Sequence, residues 1–358
     1  MCLNVYLYNV LMDIQKYEGN GLSGLANLGN TCFLNSCMQI LSHTYELNSF
    51  LDEENYIKKV KNKCDTVLLL EWDNLRKIMW DKNCVISPGK FIKTVQNVAQ
   101  IKGMDMFTGH SQNDLPEFLL FVIDCFHNSL SREIKMTISG SPQNETDEIA
   151  IKCFEMIKNM YSKEYSEIWN LFYAVQVSVI TNLETGEKIN VIPEPYFMID
   201  LPIPLNNKSP TLIDCLNCYV DGEILDGENA WYCEEKKERI NIQKKIQFWS
   251  FPNILVIDFK RFDNKSRKNQ VLITFPLDDL DLSSYVIGYK SESYKYELYG
   301  VCNHSGGVMG GHYTAYVKNA NGKWYHFNDT SVSEVGLIDS IISTKAYVLF
   351  YKKKQINE

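Results

Sequence analysis

No stretch of this 358-residue chain stays apolar long enough to span a bilayer, so no membrane partner is expected. The apolar residues near the start, Val5 to Met12, have no basic segment before them and no small-residue cleavage site after them, so no secretory signal is read. Positive charge is in short supply. The 36 Lys and Arg face 44 Asp and Glu, a net charge of −8, which argues against nucleic acid as a main partner and is compatible with a basic one. The 11 cysteines lack the spacing of a small disulfide scaffold, and their odd number favours a reducing, intracellular setting, cytoplasm or nucleus. There is no internal repeat and no low-complexity tract.

What is present is the composition of a globular protein with a sizeable core, 45% hydrophobic and 22% charged, in one large domain or two ordinary ones. The stretch from Gly24 to Ser36 organises it. Asn27, Gly29 and Asn30 tolerate turn geometry. After Cys32, apolar residues recur at helical spacing, with Phe33, Cys37 and Leu41 on one row and Leu34 and Met38 on the next. Cys32 is therefore expected at a helix N-terminus, where unpaired N–H groups and the helix dipole favour a thiolate. A lone cysteine in such a place is more often buried and inert, and it takes a matching segment elsewhere to make it a nucleophile.

Helices are expected over Val67 to Trp80, over Phe91 to Val98 after a turn at Ser87 to Lys90, and over 149–171, with a lysine-rich solvated face at Lys58 to Lys63 and a loop from Ser139 to Glu148. Between them, Gln112 to Phe118 reads as a polar helix start. Asp114 and Glu117 share one face near its positive end, where capping alone would explain them and a paired acidic patch for cationic side chains is the functional alternative. From about residue 172 the texture turns to strands, over Phe172 to Ile180, Pro193 to Leu201, Ile240 to Phe248, Ile254 to Phe259, Gln270 to Phe275, Tyr296 to Cys302, His312 to Val317 and Trp324 to Phe327. A helical half followed by a mostly antiparallel β half is an α+β arrangement.

The matching segment lies in that second half. Asn303 to Gly311 is a glycine-rich loop leading into His312, and after a hairpin at Asn319 to Gly322 comes Trp324 to Val332. A cysteine nucleophile needs a base, for which His suits neutral pH, and the base needs an orienting acceptor. Two adjacent strands can set His312 beside Asn328 or Asp329.

On these two boxes, Gly24 to Gln39 and Gly310 to Val332, the chain resembles the catalytic domain of the ubiquitin-specific proteases, papain-like cysteine deubiquitinases, over essentially residues 20–352. The segment Gln112 to Phe118 resembles that family's acidic helix start, and Ile254 to Phe262 its palm strand, with Asp258 where a histidine is common. The resemblance implies Cys32 as nucleophile, His312 as base, Asn328 as the orienting residue with Asp329 as support or substitute, and Asn27 as oxyanion donor beside the Cys32 N–H. It implies that Asp114 and Glu117 hold arginines of the ubiquitin tail, with Gln112, Gly310, Gly311 and Tyr313 also contacting substrate. It further implies a 1–20 leader and a single catalytic domain over 21–352, built as a helical thumb (21–170), β fingers (172–250) and a β palm (251–352), with Gly306 to Gly311 as a mobile blocking loop.

Many members of that family close the fingertips with zinc held by two Cys-x-x-Cys pairs. Here those positions are Thr181, Glu184, Cys233 and Lys236, so no metal and no cofactor are expected, and Cys215 and Cys218 lie outside the frame. A salt bridge between Glu184 and Lys236 would replace the metal. The expected partners are ubiquitin and ubiquitinated proteins, met by a monomer. The alternatives are a ubiquitin-binding scaffold without activity and a protease for a ubiquitin-like modifier.

Overall fold

A computed structural model describes residues 13–355 except 54, 62, 234–236 and 308–309. Helices fill the first half: α1 (Cys32–Ser42), α2 (Tyr45–Asp52), α3 (Cys64–Asp81), α4 (Gly89–Ile101), α5 (Leu115–Leu130), α6 (Glu145–Glu164) and α7 (Glu167–Phe172), followed by α8 (Leu212–Val220) among the strands. Helix α1 is buried on every side, so its polar residues need internal partners. The Gln39 amide, for example, donates to the Ser23 carbonyl at 2.7 Å. The expected loop over Ser139 to Glu148 is shorter than read. The Asn144 side chain accepts the Asp147 N–H at 2.9 Å and starts α6 at Glu145. Lys58, Lys59, Lys61 and Lys63 are exposed, as a solvated face should be. Of the expected leader, Gln15–Tyr17 forms a short 3-10 turn whose Tyr17 ring stacks on Tyr45 at 4.7 Å, and residues 1–12 lie outside the described residues.

Strands β1 (Gly24–Leu25) and β2 (Val85–Ile86) pair in parallel in front of α1. A second sheet runs β4-β3-β9-β6, from β3 (Ala174–Asn182), β4 (Lys188–Tyr196), β6 (Glu223–Leu225) and β9 (Ile242–Phe248), with β7 (Trp231–Cys233) and β8 (Glu238–Ile240) paired beyond it. The main sheet runs β15-β14-β13-β12-β16-β10-β5. Its strands are β5 (Met198–Leu201), β10 (Ile254–Phe259), β12 (Lys295–Gly307), β13 (Gly310–Lys318), β14 (Trp324–Asn328), β15 (Ser331–Glu334) and β16 (Ala346–Lys353), with β11 (Leu280–Asp281) on β12. Within this main sheet the ladders are antiparallel apart from β10 on β5.

Both faces of the main sheet are covered, which is why β10 reads as an unbroken apolar run up to Asp258. Ile254 and Val256 join the cluster shared with α1, α3 and α5, while Leu255, Ile257 and Phe259 join the cluster under α8. Two bulges adjust the sheet. Between the pairs Cys302↔Val348 and Asn303↔Ala346, Tyr347 is the extra residue, and it turns to the helical side.

Two strand expectations fail. Gln270 to Phe275 makes only a single bridge, Thr274 to Thr211, because the buried Arg261 guanidinium takes the Asn269 and Val271 carbonyls, each at 3.0 Å. The described ends of the glycine-rich segment are ladder rather than loop, since Gly306 pairs with Gly311 and Gly307 with Gly310, and 308 and 309 of the expected blocking loop lie outside the described residues. Lys236 lies outside the described residues, and with it the expected bridge to Glu184. Among the described residues, no group of His, Cys, Asp and Glu converges to hold a metal, and no helix is long and apolar enough to cross a membrane.

Candidate active site

The turn before α1 is folded by one side chain. Asn27 Oδ1 accepts the Gly29 and Thr31 N–H groups, both at 3.1 Å, and the Thr31 hydroxyl returns a bond from the Leu28 N–H at 3.0 Å. Gly29 at φ +104° and Asn30 at φ +54° supply the left-handed backbone this compact turn needs. The turn delivers Cys32 as the first residue of α1, 2% exposed, with its N–H among those a helix start leaves unpaired.

The β13–β14 hairpin carries His312, the residue expected as base. His312 Nε2–H donates to Asn328 Oδ1 at 2.7 Å, which leaves Nδ1 as the proton acceptor. Among the described residues no hydrogen bond joins His312 to the Cys32 thiol. The polar neighbour of Sγ is the Gln112 amide at 3.8 Å. Gln112 also clasps Gly311 on both sides of its peptide: the Gly311 N–H donates to Oε1 at 2.6 Å, and the Gln112 amide donates to the Gly311 carbonyl. Gly311 can sit there only as glycine, since a Cβ would lie 2.3 Å from His304 Nε2 and 2.5 Å from the Ser305 carbonyl.

Asp329 is placed differently from the expectation that it supports or replaces Asn328. Its φ of +49° swings the carboxylate away from His312 and under the cysteine turn. Oδ2 accepts the Asn27 amide at 3.0 Å and Oδ1 accepts the Asn35 amide at 2.8 Å, while its carbonyl accepts the Leu25 N–H at 2.8 Å. Asn35 is the residue sequence reasoning missed. Its signal was the i,i+3 spacing from Cys32, which puts both on neighbouring faces of α1.

Asp114 begins α5 through its backbone, but its carboxylate caps nothing. Oδ1 accepts the Tyr313 and Tyr347 hydroxyls, both at 3.1 Å. Burial pushes its carboxyl up from the ordinary value. Glu117 is exposed on the first turn; partial desolvation, then the neighbouring Asp114, raise its carboxyl too. Tyr313 departs from its expected place on the substrate surface. At 4% exposed it lies under the site, stacked on His304 with ring centres 4.5 Å apart. Strand alternation explains this: His312 faces the cleft, so its neighbour must face inward. Gly310 is exposed at the ladder's open end.

A family model described as ubiquitin carboxyl-terminal hydrolase matches residues 23–351. Ubiquitin carboxyl-terminal hydrolase 2 of Bos taurus is 34% identical over 344 residues, covering 94% of this chain and 55% of the relative, so the chain spans about half that relative's length. The protein of that name in Gallus gallus is 34% identical over 347 residues and 93% of either chain. Among solved structures, the SAGA DUB module with Ubp8 bound to monoubiquitin is similar in fold, with a TM-score of 0.72 at 23% identity over 94% of this chain and 70% of that one.

Proposed function

Because this chain belongs to the ubiquitin carboxyl-terminal hydrolase family, we propose that it is a cysteine deubiquitinase, cleaving the peptide or isopeptide bond after the C-terminal glycine of ubiquitin. The observation that carries this reading is the His312–Asn328 pair, presented by the palm hairpin beside the helix start that holds Cys32. The Cys32 thiol gives its proton to His312 Nδ1 and attacks the glycine carbonyl. Asn328 keeps the ring in the tautomer that can accept. The oxyanion takes the Cys32 N–H and the second N–H of the Asn27 amide, whose first is committed to Asp329. One such donor is worth about 3 kcal/mol of the barrier. The lysine amine leaves with the proton from His312, and water, deprotonated by the same nitrogen, hydrolyses the thioester.

Asp114 and Glu117 hold cationic side chains of the tail, and Gly310 and Gly311 form the wall of a slot narrow enough for Gly-Gly. Gln112 occupies that slot in the unliganded protein and exchanges its bonds to Gly311 for bonds to the tail. Thumb, fingers and palm follow 21–170, 172–250 and 251–352, with β5 contributed to the palm from the middle range. The protein works as a monomer in a reducing compartment, where the thiol stays free.

The test is a ubiquitin bearing a C-terminal electrophile. An adduct on Cys32, lost in Cys32→Ala, supports the enzyme. Binding without an adduct supports a scaffold, and reaction only with another modifier's probe supports a ubiquitin-like substrate.

A further inference from the structure

Asp258 is 8% exposed, and its Oδ1 has no hydrogen-bond partner among the described residues. An unpartnered buried carboxylate costs stability unless something else uses it. Its surroundings add more negative charge than Lys260 and Arg261, the cations coupled to it, cancel. The parallel register sets Asp258 of β10 opposite Asp200 of β5, so the two side chains stand on one face. Asp114 approaches from α5 and is coupled to both. The Asp114 carboxylate is aimed by the Tyr347 hydroxyl, which the β16 bulge turns to this side. Lys260, which follows β10, is exposed and makes no ion pair among the described residues, and the buried Arg261 guanidinium donates to the Ala346, Asn269 and Val271 carbonyls.

We propose that Asp258, with Asp200 and Asp114, forms a seat for an arginine side chain of the incoming tail, making Asp258 a specificity-determining residue; this rests on the deubiquitinase reading above. The geometry favours a guanidinium over a metal ion, because no group of ligating side chains converges on one point among the described residues. A planar fork with five donors can reach carboxylates arriving from β5, β10 and α5, whereas an ammonium is a point charge. The tyrosine rings at 313 and 347, with centres 6.3 Å apart, border the seat and offer faces to a cation. A histidine at 258 would supply at most one acceptor and repel the guanidinium when protonated.

The experiment uses the full chain and a fluorogenic C-terminal amide of ubiquitin, with its tail arginines replaced one at a time by alanine. Asp258→Asn should raise KM about tenfold with kcat unchanged, as should Asp258→His. Against one alanine tail, the same substitutions should cost nothing further. Asp200→Asn, at an exposed position where folding is not at stake, should raise KM about threefold with the same tail dependence. The proposal is overturned if both Asp→Asn variants keep KM within twofold on the natural tail, or raise it equally on every tail. A wild-type chain that turns over no substrate overturns this proposal together with the reading beneath it. A fully active wild type with indifferent variants overturns this proposal alone.

Discussion

The Asn27 side-chain amide donates to the Asp329 carboxylate at 3.0 Å, across 302 residues of chain. The same carboxylate holds Asn35 at 2.8 Å, so Asp329 ties Asn27, the proposed oxyanion donor, and helix α1 to the hairpin that carries His312, the proposed base. Asp329→Ala should therefore act on kcat and leave KM nearly unchanged, with a loss of about 100-fold, the size expected for a displaced oxyanion donor. Steady-state kinetics on a ubiquitin amide checks it. A purely KM effect would contradict the assignment.

Asn328→Ala removes the acceptor of His312 Nε2–H without touching the Asn27 clamp. It should lower kcat by about tenfold or more and leave the chain folded. Combined with Asp329→Ala, the losses should multiply, because the two residues act on different groups. If Asp329→Ala has no further effect in the Asn328→Ala background, both residues serve His312.

Asp114→Arg places a like charge where cationic tail residues are to be held, and strands the Tyr313 and Tyr347 hydroxyls. KM should rise far more than kcat falls. Tyr347→Phe, which removes only the hydroxyl that aims Asp114, should raise KM by a few-fold. An unchanged KM in Asp114→Arg would remove Asp114 from the tail site.

Asp258 gives stability a pH dependence of definite sign. Its carboxyl is raised well above 3.8 by burial, then by Asp114 and Asp200, against which Lys260 works. The groups facing it are Asp200 from β5, Asp114 from α5, Tyr347 from β16 and Arg261 beyond its own strand. The folded state thus holds a proton the unfolded chain has released, and stability falls as pH rises from about 3.8 toward the folded value. Asp258→Asn should flatten that part of the Tm-against-pH curve and raise Tm at neutral pH. An unaltered slope would show that Asp258 ionises freely.

Gly24→Ala tests the closeness of the two halves. A Cβ at position 24 would lie 2.3 Å from the Thr330 carbonyl oxygen, a backbone atom that cannot rotate away. The substitution should cost about 1–3 kcal/mol of stability, read from the denaturant midpoint, and lower kcat through the neighbouring Asp329. Wild-type stability in this variant would mean that the hairpin and the cysteine segment do not meet this tightly.

Much of the site was legible because it is local chemistry. A turn-forming Asn-x-Gly-Asn before an apolar helical row places Cys32 at a helix start through bonds spanning four residues or fewer. Likewise a hairpin signal between two strands is enough to set His312 near Asn328. Asp258 was visible as an odd residue in an apolar strand, but its consequence was not, because Asp200 and Asp114 come from other elements. Gln270 to Phe275 has a strand's composition yet loses its ladder to Arg261, a competitor contributed from outside the segment.

The sequence by itself determined which residues are available for the proposed chemistry: a thiol at a helix N-terminus, a histidine on a strand, an amide to orient it. Only the tertiary structure decided where Asp329, Tyr313 and Asp258 point. Those directions depend on one left-handed φ, on which face of β13 packs against α1, and on the parallel register of β10 on β5. Each is settled when the helical and β halves close on one shared core, and side-chain spacing along a single segment carries no information about that closure.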